Sequence, residues 1–221
     1  MCGRFTLTTN LGAIAARFGV ARFLEEVGAR YNIAPTQTVI VVSDNGTRSL
    51  TEMRWGLIPS WAKDPAIGDR MINARAETVA TKPAFRVALR KRRCLIPADG
   101  FYEWQQVGRR KQAVYITLKS REPFSFAGLW EAWTAPDGEE IKTCTIITTE
   151  ANDLLKPIHD RMPVILTREA ERVWLDPAIQ DPTQLLPLLV PYPAEEMEAY
   201  SVSQRVNNPA HDSPDCIQLL R

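Results

Sequence analysis

The sequence predicts an α+β protein, a single domain over residues 1–221 built on a curved antiparallel β-sheet or barrel-like core with flanking helices. Three observations lead there. Short strand-like stretches follow one another through the middle of the chain, separated by Gly- and Pro-bearing turns. Stretches of helical periodicity are few. A length of 221 residues with 45% hydrophobic content is enough for one core that needs no covalent staples.

Taken in chain order, Leu11, Ile14, Ala15 and Phe18 share one helical face behind the cap candidates Thr9 and Asn10. "TVIVVS" (38–43) and "SLTEMRW" (49–55) flank Asp44-Asn45-Gly46 and read as a hairpin, because Asn-Gly accepts the positive φ values of a tight turn. "TKPAFRVALRKR" reads as a helix with Phe85, Ala88 and Leu89 inward and the arginines outward. "RCLIPADGFYEW" (93–104), "AVYITL" (113–118), "FSFAGLWEAW" (124–133) and "KTCTIITT" (142–149) continue the strands. "TREAERVWL" is a helix with Thr167 at its N-cap.

Composition narrows the function classes. No apolar run is long enough to span a bilayer and the N-terminus lacks the succession of a secretory signal, so a soluble, cytoplasmic protein is expected. Cys2, Cys94, Cys144 and Cys216 form no CxxC pair, and His159 and His211 are the two histidines, so neither metal nor other cofactor is expected. The net charge of +1 conceals a basic run, Arg86, Arg90, Lys91, Arg92 and Arg93, followed by Arg109, Arg110 and Lys111. Such a run is a solvated face or a local track for a polyanion.

Several polar residues stand where chemistry could use them. Cys2 follows the first methionine in "MCGRF"; it is either a small buried thiol or a nucleophile whose own α-amine can take part. In "GFYEW", strand alternation puts Glu103 on the face opposite Tyr102 and Trp104. There it points to water, or else to a pocket whose low polarity would raise its pKa toward neutrality. His159 in "KPIHDRMP" occupies a loop ahead of the strand "PVIL", a position for a catalytic or a structural imidazole. Asn73 and Arg75 in "MINARAET" are two apart, so an extended segment projects both to one side.

These stretches, read together, resemble one family. "MCGRF" (1–5), "RYNIAPTQ" (30–37), "RWGLIPSW" (54–61), "INARAET" (72–78), "RRCLIPADGFYEW" (92–104), "FAGLW" (126–130) and "IHDRMPVIL" (158–166) occur in the order of the SOS response-associated peptidase (SRAP) family. "SVSQRVNN" (201–208) is similar to its closing segment, and Pro177–Tyr200 matches nothing recognised. The resemblance implies the SRAP fold and a monomeric protein of the DNA-damage response that processes abasic sites in single-stranded DNA. It implies that Cys2, exposed by loss of Met1, traps the open sugar's aldehyde through amine and thiol as a thiazolidine crosslink. Glu103 would assist ring opening and proton transfers, His159 would stabilise the opened sugar or the adjacent phosphate, and Asn73 would position Cys2 and the sugar. Arg4, Arg75 and Arg161 match positions that hold the DNA backbone. Trp104 and Trp61 match stacking surfaces for flanking bases, although for Trp61 a core position is the preferred reading. Peptidase activity, with release of the residue ahead of Cys2, and strand cleavage by a lyase step are implied as well.

Two other classes fit parts of the pattern. "MCG" also begins class II glutamine amidotransferases, whose processed cysteine is an N-terminal nucleophile. A non-catalytic single-strand binder would use the arginines and aromatics but has no need of Cys2, Glu103 and His159 together.

Overall fold

The structure is a computed structural model, and it describes residues 2–20, 27–44 and 46–220. In chain order its strands and helices are β1 (Phe5–Leu7), α1 (Leu11–Phe18), β2 (Arg30–Ile33), β3 (Thr38–Asp44), β4 (Arg48–Trp55), β5 (Asn73–Arg75) and α2 (Arg86–Lys91). There follow β6 (Arg93–Ala98), β7 (Gly100–Val107), β8 (Arg110–Leu118), β9 (Phe124–Thr134) and β10 (Glu140–Glu150). The chain continues through β11 (Arg161–Pro163), β12 (Ile165–Leu166), α3 (Arg168–Leu175), α4 (Pro182–Leu185) and β13 (Met197–Ser201).

Five strands close on themselves. The order β10–β4–β3–β6–β9 returns to β10 through a long antiparallel pairing that runs from Glu140 opposite Thr134 to Ile146 opposite Gly128. The expected barrel-like core is therefore present, with one difference from a purely antiparallel sheet. The ring closes through a short parallel seam, Thr143 beside Arg54 and Cys144 beside Trp55, and β5 also lies parallel to β10. Alternation within a strand says nothing about its partner's direction, so periodicity could not show this seam. A second, five-stranded antiparallel sheet runs β13–β8–β7–β1–β2.

Phe5 joins the two sheets. Its ring packs edge-on against Trp55 at 5.3 Å and Phe126 at 5.7 Å, inside the main buried cluster. Edge-to-face contacts of this kind favour a fixed orientation beyond the area they bury. Because β1 also pairs with β2 on one side and β7 on the other, the segment leading to Phe5 leaves from the middle of a sheet rather than from a free edge.

The helices follow the expected residues. The Asn10 side chain accepts from Ala13 N at the start of α1, and Thr167 accepts from Ala170 N at the start of α3. In the hairpin β3–β4, Gly46 has φ of 90°, while Asn45 lies outside the described residues. The helix expected over 81–92 is shorter: turns run up to Phe85, and only Arg86–Lys91 is helical, with Phe85, Ala88 and Leu89 buried as expected.

The basic run is partly structural. Arg93 is buried, and its guanidinium donates to the carbonyl oxygens of Leu89, Arg90, Trp174 and Asp176, closing the ends of α2 and α3. Arg92 pairs with Glu131 at 2.7 Å. Only Arg86, Arg90 and Lys91 of that run face solvent. No helix among the described residues is long and apolar enough to cross a membrane.

Candidate active site

Cys2 is fully buried at the mouth of β1, and Asn73 Nδ2 donates to its backbone carbonyl oxygen at 2.8 Å. Asn73 opens β5, which β10 fixes in register at Ile146. The other side-chain atom of Asn73, Oδ1, is buried and accepts from no described residue. Burial, with the nearby Glu103 carboxylate second, pushes the Cys2 thiol well above its ordinary value, so it is protonated at neutral pH.

Glu103 is 2% exposed on β7. Its neighbours separate as alternation predicts: Tyr102 and Trp104 belong to one apolar cluster and Phe101 to the main core on the other face. The solvent-facing alternative is thereby excluded. Desolvation raises the Glu103 pKa, and the charge of His159 opposes that rise, which puts the two groups within electrostatic reach. His159 ends the turn after β10; its Nδ1 accepts the Arg161 amide at 3.0 Å and lies 2.9 Å from Asp160 Oδ1. Cys2, Asn73, Glu103 and His159 thus converge from four separate places in the sequence.

The three arginines differ. Arg75 is exposed at the end of β5. Arg161 makes a two-point contact with Glu77, 2.6 and 3.1 Å, and donates to the Thr148 carbonyl oxygen at 2.7 Å. Arg4 is turned onto the protein: it donates to Asn32 Oδ1 at 2.7 Å and to the carbonyl oxygens of Val206 and Asn207 at 2.5 and 3.2 Å. Trp104 is half-buried, lies 6.0 Å from the Arg4 guanidinium, and donates from Nε1 to Asn207 Oδ1 at 2.7 Å. Trp61 is 59% exposed, which corrects the preference for a core position. The chain turns outward there, while the next residue, Ala62, is held by Trp133 Nε1.

The family model described as "SOS response associated peptidase (SRAP)" matches residues 1–209. The chain belongs to the SRAP family. Among its SRAP relatives, "Abasic site processing protein YoqW" of Bacillus subtilis is 50% identical over 99% of both chains. "Abasic site processing protein HMCES" of Xenopus tropicalis is 35% identical over 80% of this chain and 59% of its own length. A crystal structure of a protein from Bacteroides thetaiotaomicron superimposes with a TM-score of 0.92 at 30% identity, each chain covered in full.

Three polar residues that brace the Cys2 and Arg161 segments went unnoticed in sequence. Asn32 is fully buried and donates to the carbonyl oxygens of Val206, Asn208 and His211 while accepting from Arg4. Asp99 gathers the backbone and hydroxyl groups of Thr8 and Thr9 just beyond β1. Glu77 fills the Arg161 fork. Each is a polar residue inside one of the matching stretches, a signal that was on the page, but none has a spacing that names its partner. Among the described residues, His211, Asp215 and Cys216 bring potential metal ligands within 4.8 Å of one another. Asp215 is already engaged by Arg205 and Ser213, an arrangement that suits an ion pair.

Proposed function

We propose that the chain captures abasic sites in single-stranded DNA by covalent attachment to Cys2, acting as one domain and as a monomer in the cytosol. The observation that carries this reading is the grip of Asn73 on the Cys2 carbonyl beside a buried Glu103 whose pKa is raised by desolvation. The relatives' shared name, abasic site processing protein, supports the substrate class.

Loss of Met1 gives Cys2 a free α-amine, whose reference pKa of about 7.7–8.0 leaves part of it neutral in cells. That amine adds to C1′ of the opened sugar, and loss of water yields an imine. The thiol then adds across the C=N bond: sulfur bonds to carbon, the thiol proton passes to nitrogen, and a thiazolidine closes. Glu103, whose hold on its proton is strengthened by burial, can protonate the departing oxygen and in turn accept the proton of a thiol too weakly acidic to ionise unaided. The unused Asn73 Oδ1 can accept from the amine or from a sugar hydroxyl. His159 serves the sugar hydroxyl or adjacent phosphate. Arg75 and Arg161 hold the backbone, Arg4 supports the Cys2 segment from behind, and Trp104 and Trp61 offer faces to the neighbouring bases.

The test is incubation of Met1-processed protein with single-stranded DNA bearing one abasic site, read as a heat-stable adduct on a denaturing gel. Cys2→Ala is expected to abolish the adduct. An equal, equally stable adduct in that variant overturns the reading, and glutamine hydrolysis without adduct replaces it with an amidotransferase.

A further inference from the structure

Arg75 and Arg161, two groups assigned above to the DNA backbone, share a carboxylate. The strands β5 and β11 flank β10 on opposite sides, with Arg75 beside Thr148 and Arg161 beside Glu150. Glu77, two residues beyond Arg75, reaches back to Arg161 and meets both terminal nitrogens of the guanidinium, Nη1 at 2.6 Å and Nη2 at 3.1 Å. The Arg161 bond is the main cause that holds the Glu77 carboxyl below its ordinary range, and the Arg75 charge adds to it. Two carboxylate oxygens on the two nitrogens of one guanidinium reproduce the geometry with which arginine takes two oxygens of a phosphate. Elsewhere on the fork Nη2 also donates to the Thr148 carbonyl oxygen, while Nε is buried without a partner among the described residues.

We infer that Glu77 is a specificity-determining residue, a built-in anion that occupies the phosphate seat of Arg161 and that a DNA phosphodiester must displace. This inference rests on the single-strand DNA reading of the same site. The two partners differ in exposure: the Arg161 side chain is 15% exposed and that of Glu77 51%. The guanidinium is therefore fixed in the wall while the carboxylate stands at the surface, where it can swing out. An exposed ion pair is weak enough for a polyanion to replace. In exchange the site carries less positive charge toward nucleic acid in general, so that undamaged strands are held loosely and the covalent step, rather than the phosphate grip, decides what is retained. The seat is selective for an anion that competes better than a tethered carboxylate, which a doubly anchored, multiply charged backbone does.

The experiment compares wild type with Glu77→Gln, an isosteric change at a half-exposed position, for equilibrium binding of a short fluorescent undamaged single-stranded oligodeoxynucleotide across a salt series. Tightening by about two- to fivefold at low salt is expected from freeing one exposed pair. The salt dependence should steepen by about 0.7 in log–log slope, the release of one more counterion from a single strand. The gain should vanish when Arg161→Gln is already present. Glu150→Gln removes a neighbouring exposed charge that is not bonded to the fork, and it should not reproduce the gain. Equal or weaker binding by Glu77→Gln while wild type binds overturns the inference and makes Glu77 an orienting group for Arg161. An equal gain from Glu150→Gln overturns it in favour of bulk charge. Absence of binding and of abasic adduct in wild type and variant alike overturns the DNA reading itself, an outcome separate from the other two.

Discussion

Burial makes the ionised form of Glu103 costly to the fold. A carboxyl whose pKa is raised by burial binds its proton more tightly in the native state than in the unfolded chain, so stability falls as pH climbs through the interval between the two values. Below the ordinary carboxyl range both states are protonated and the penalty is absent; at neutral pH it is felt. Glu103→Gln is therefore expected to raise Tm at pH 7 and above and to flatten its pH dependence, by about 2–4 °C for each kcal/mol relieved in a chain of this size. The same substitution should slow adduct formation while leaving DNA affinity nearly intact. Thermal melts from pH 4 to 9 beside adduct time courses check both; a lower Tm at neutral pH would make the side chain a structural anchor. Cys2 presents the same conflict in a milder form, since a thiol in an apolar wall is inert until a partner takes its proton.

At the scale of elements, the sequence made the strands and helices legible where one side chain decided an outcome. Asn10 and Thr167 cap their helices because their side chains have a nearby N–H to satisfy, and the Tyr102–Glu103–Trp104 alternation follows from the pleat. Partnerships between distant strands were not legible, because the parallel seam of β10 with β4 and the exposure of Trp61 beside a buried Ala62 depend on tertiary contacts. The motif "FAGLW" acquires a physical reason only here. Gly128 lies in β9 between Cys94 and Ile146, and a Cβ on it would come within 2.8 Å of Cys94 Sγ and 3.1 Å of the Ile96 side chain. Both neighbours are fully buried in the closed ring, which leaves their side chains little room to retreat. Gly128→Ala is expected to cost about 1–3 kcal/mol by overpacking, seen as a lower denaturation midpoint with an unchanged slope; an unaltered midpoint would show that the ring can widen.

For the whole molecule, the two sheets supply different halves of the site. β5, paired to the ring strand β10, presents Asn73, and β11 on the other side of β10 begins with Arg161; the other sheet presents Glu103 and leads β1 toward Cys2. Phe5 and Asp99 fix β1 from the inside and from the turn beyond it, and the segment around 203–212 fixes it from outside through Arg4 and Asn32. Of this frame, the resemblance in sequence led to Cys2, Asn73, Glu103 and His159, whereas Arg4 emerged in a different posture, bonded inward. An arginine's partners are set by whatever chain lies beside it, and that chain was some two hundred residues away. Asn32→Ala would leave the Val206, Asn208 and His211 carbonyl oxygens and the Arg4 guanidinium without their shared partner. It is expected to destabilise by roughly 1–3 kcal/mol and to slow adduct formation beyond its effect on DNA affinity. Hydrogen exchange localised to residues 203–216 and to the start of β1 checks the coupling; loosening elsewhere alone would argue against it.

The bond from Arg4 to the Val206 carbonyl spans 202 positions of sequence. Contacts between such distant positions close a long loop and so form late in folding. During synthesis β1 emerges from the ribosome long before the segment that clamps it, and for that interval Arg4 lacks its carbonyl partners. A truncated product ending before Val206 would lose the carbonyl oxygens that hold Arg4 and Asn32.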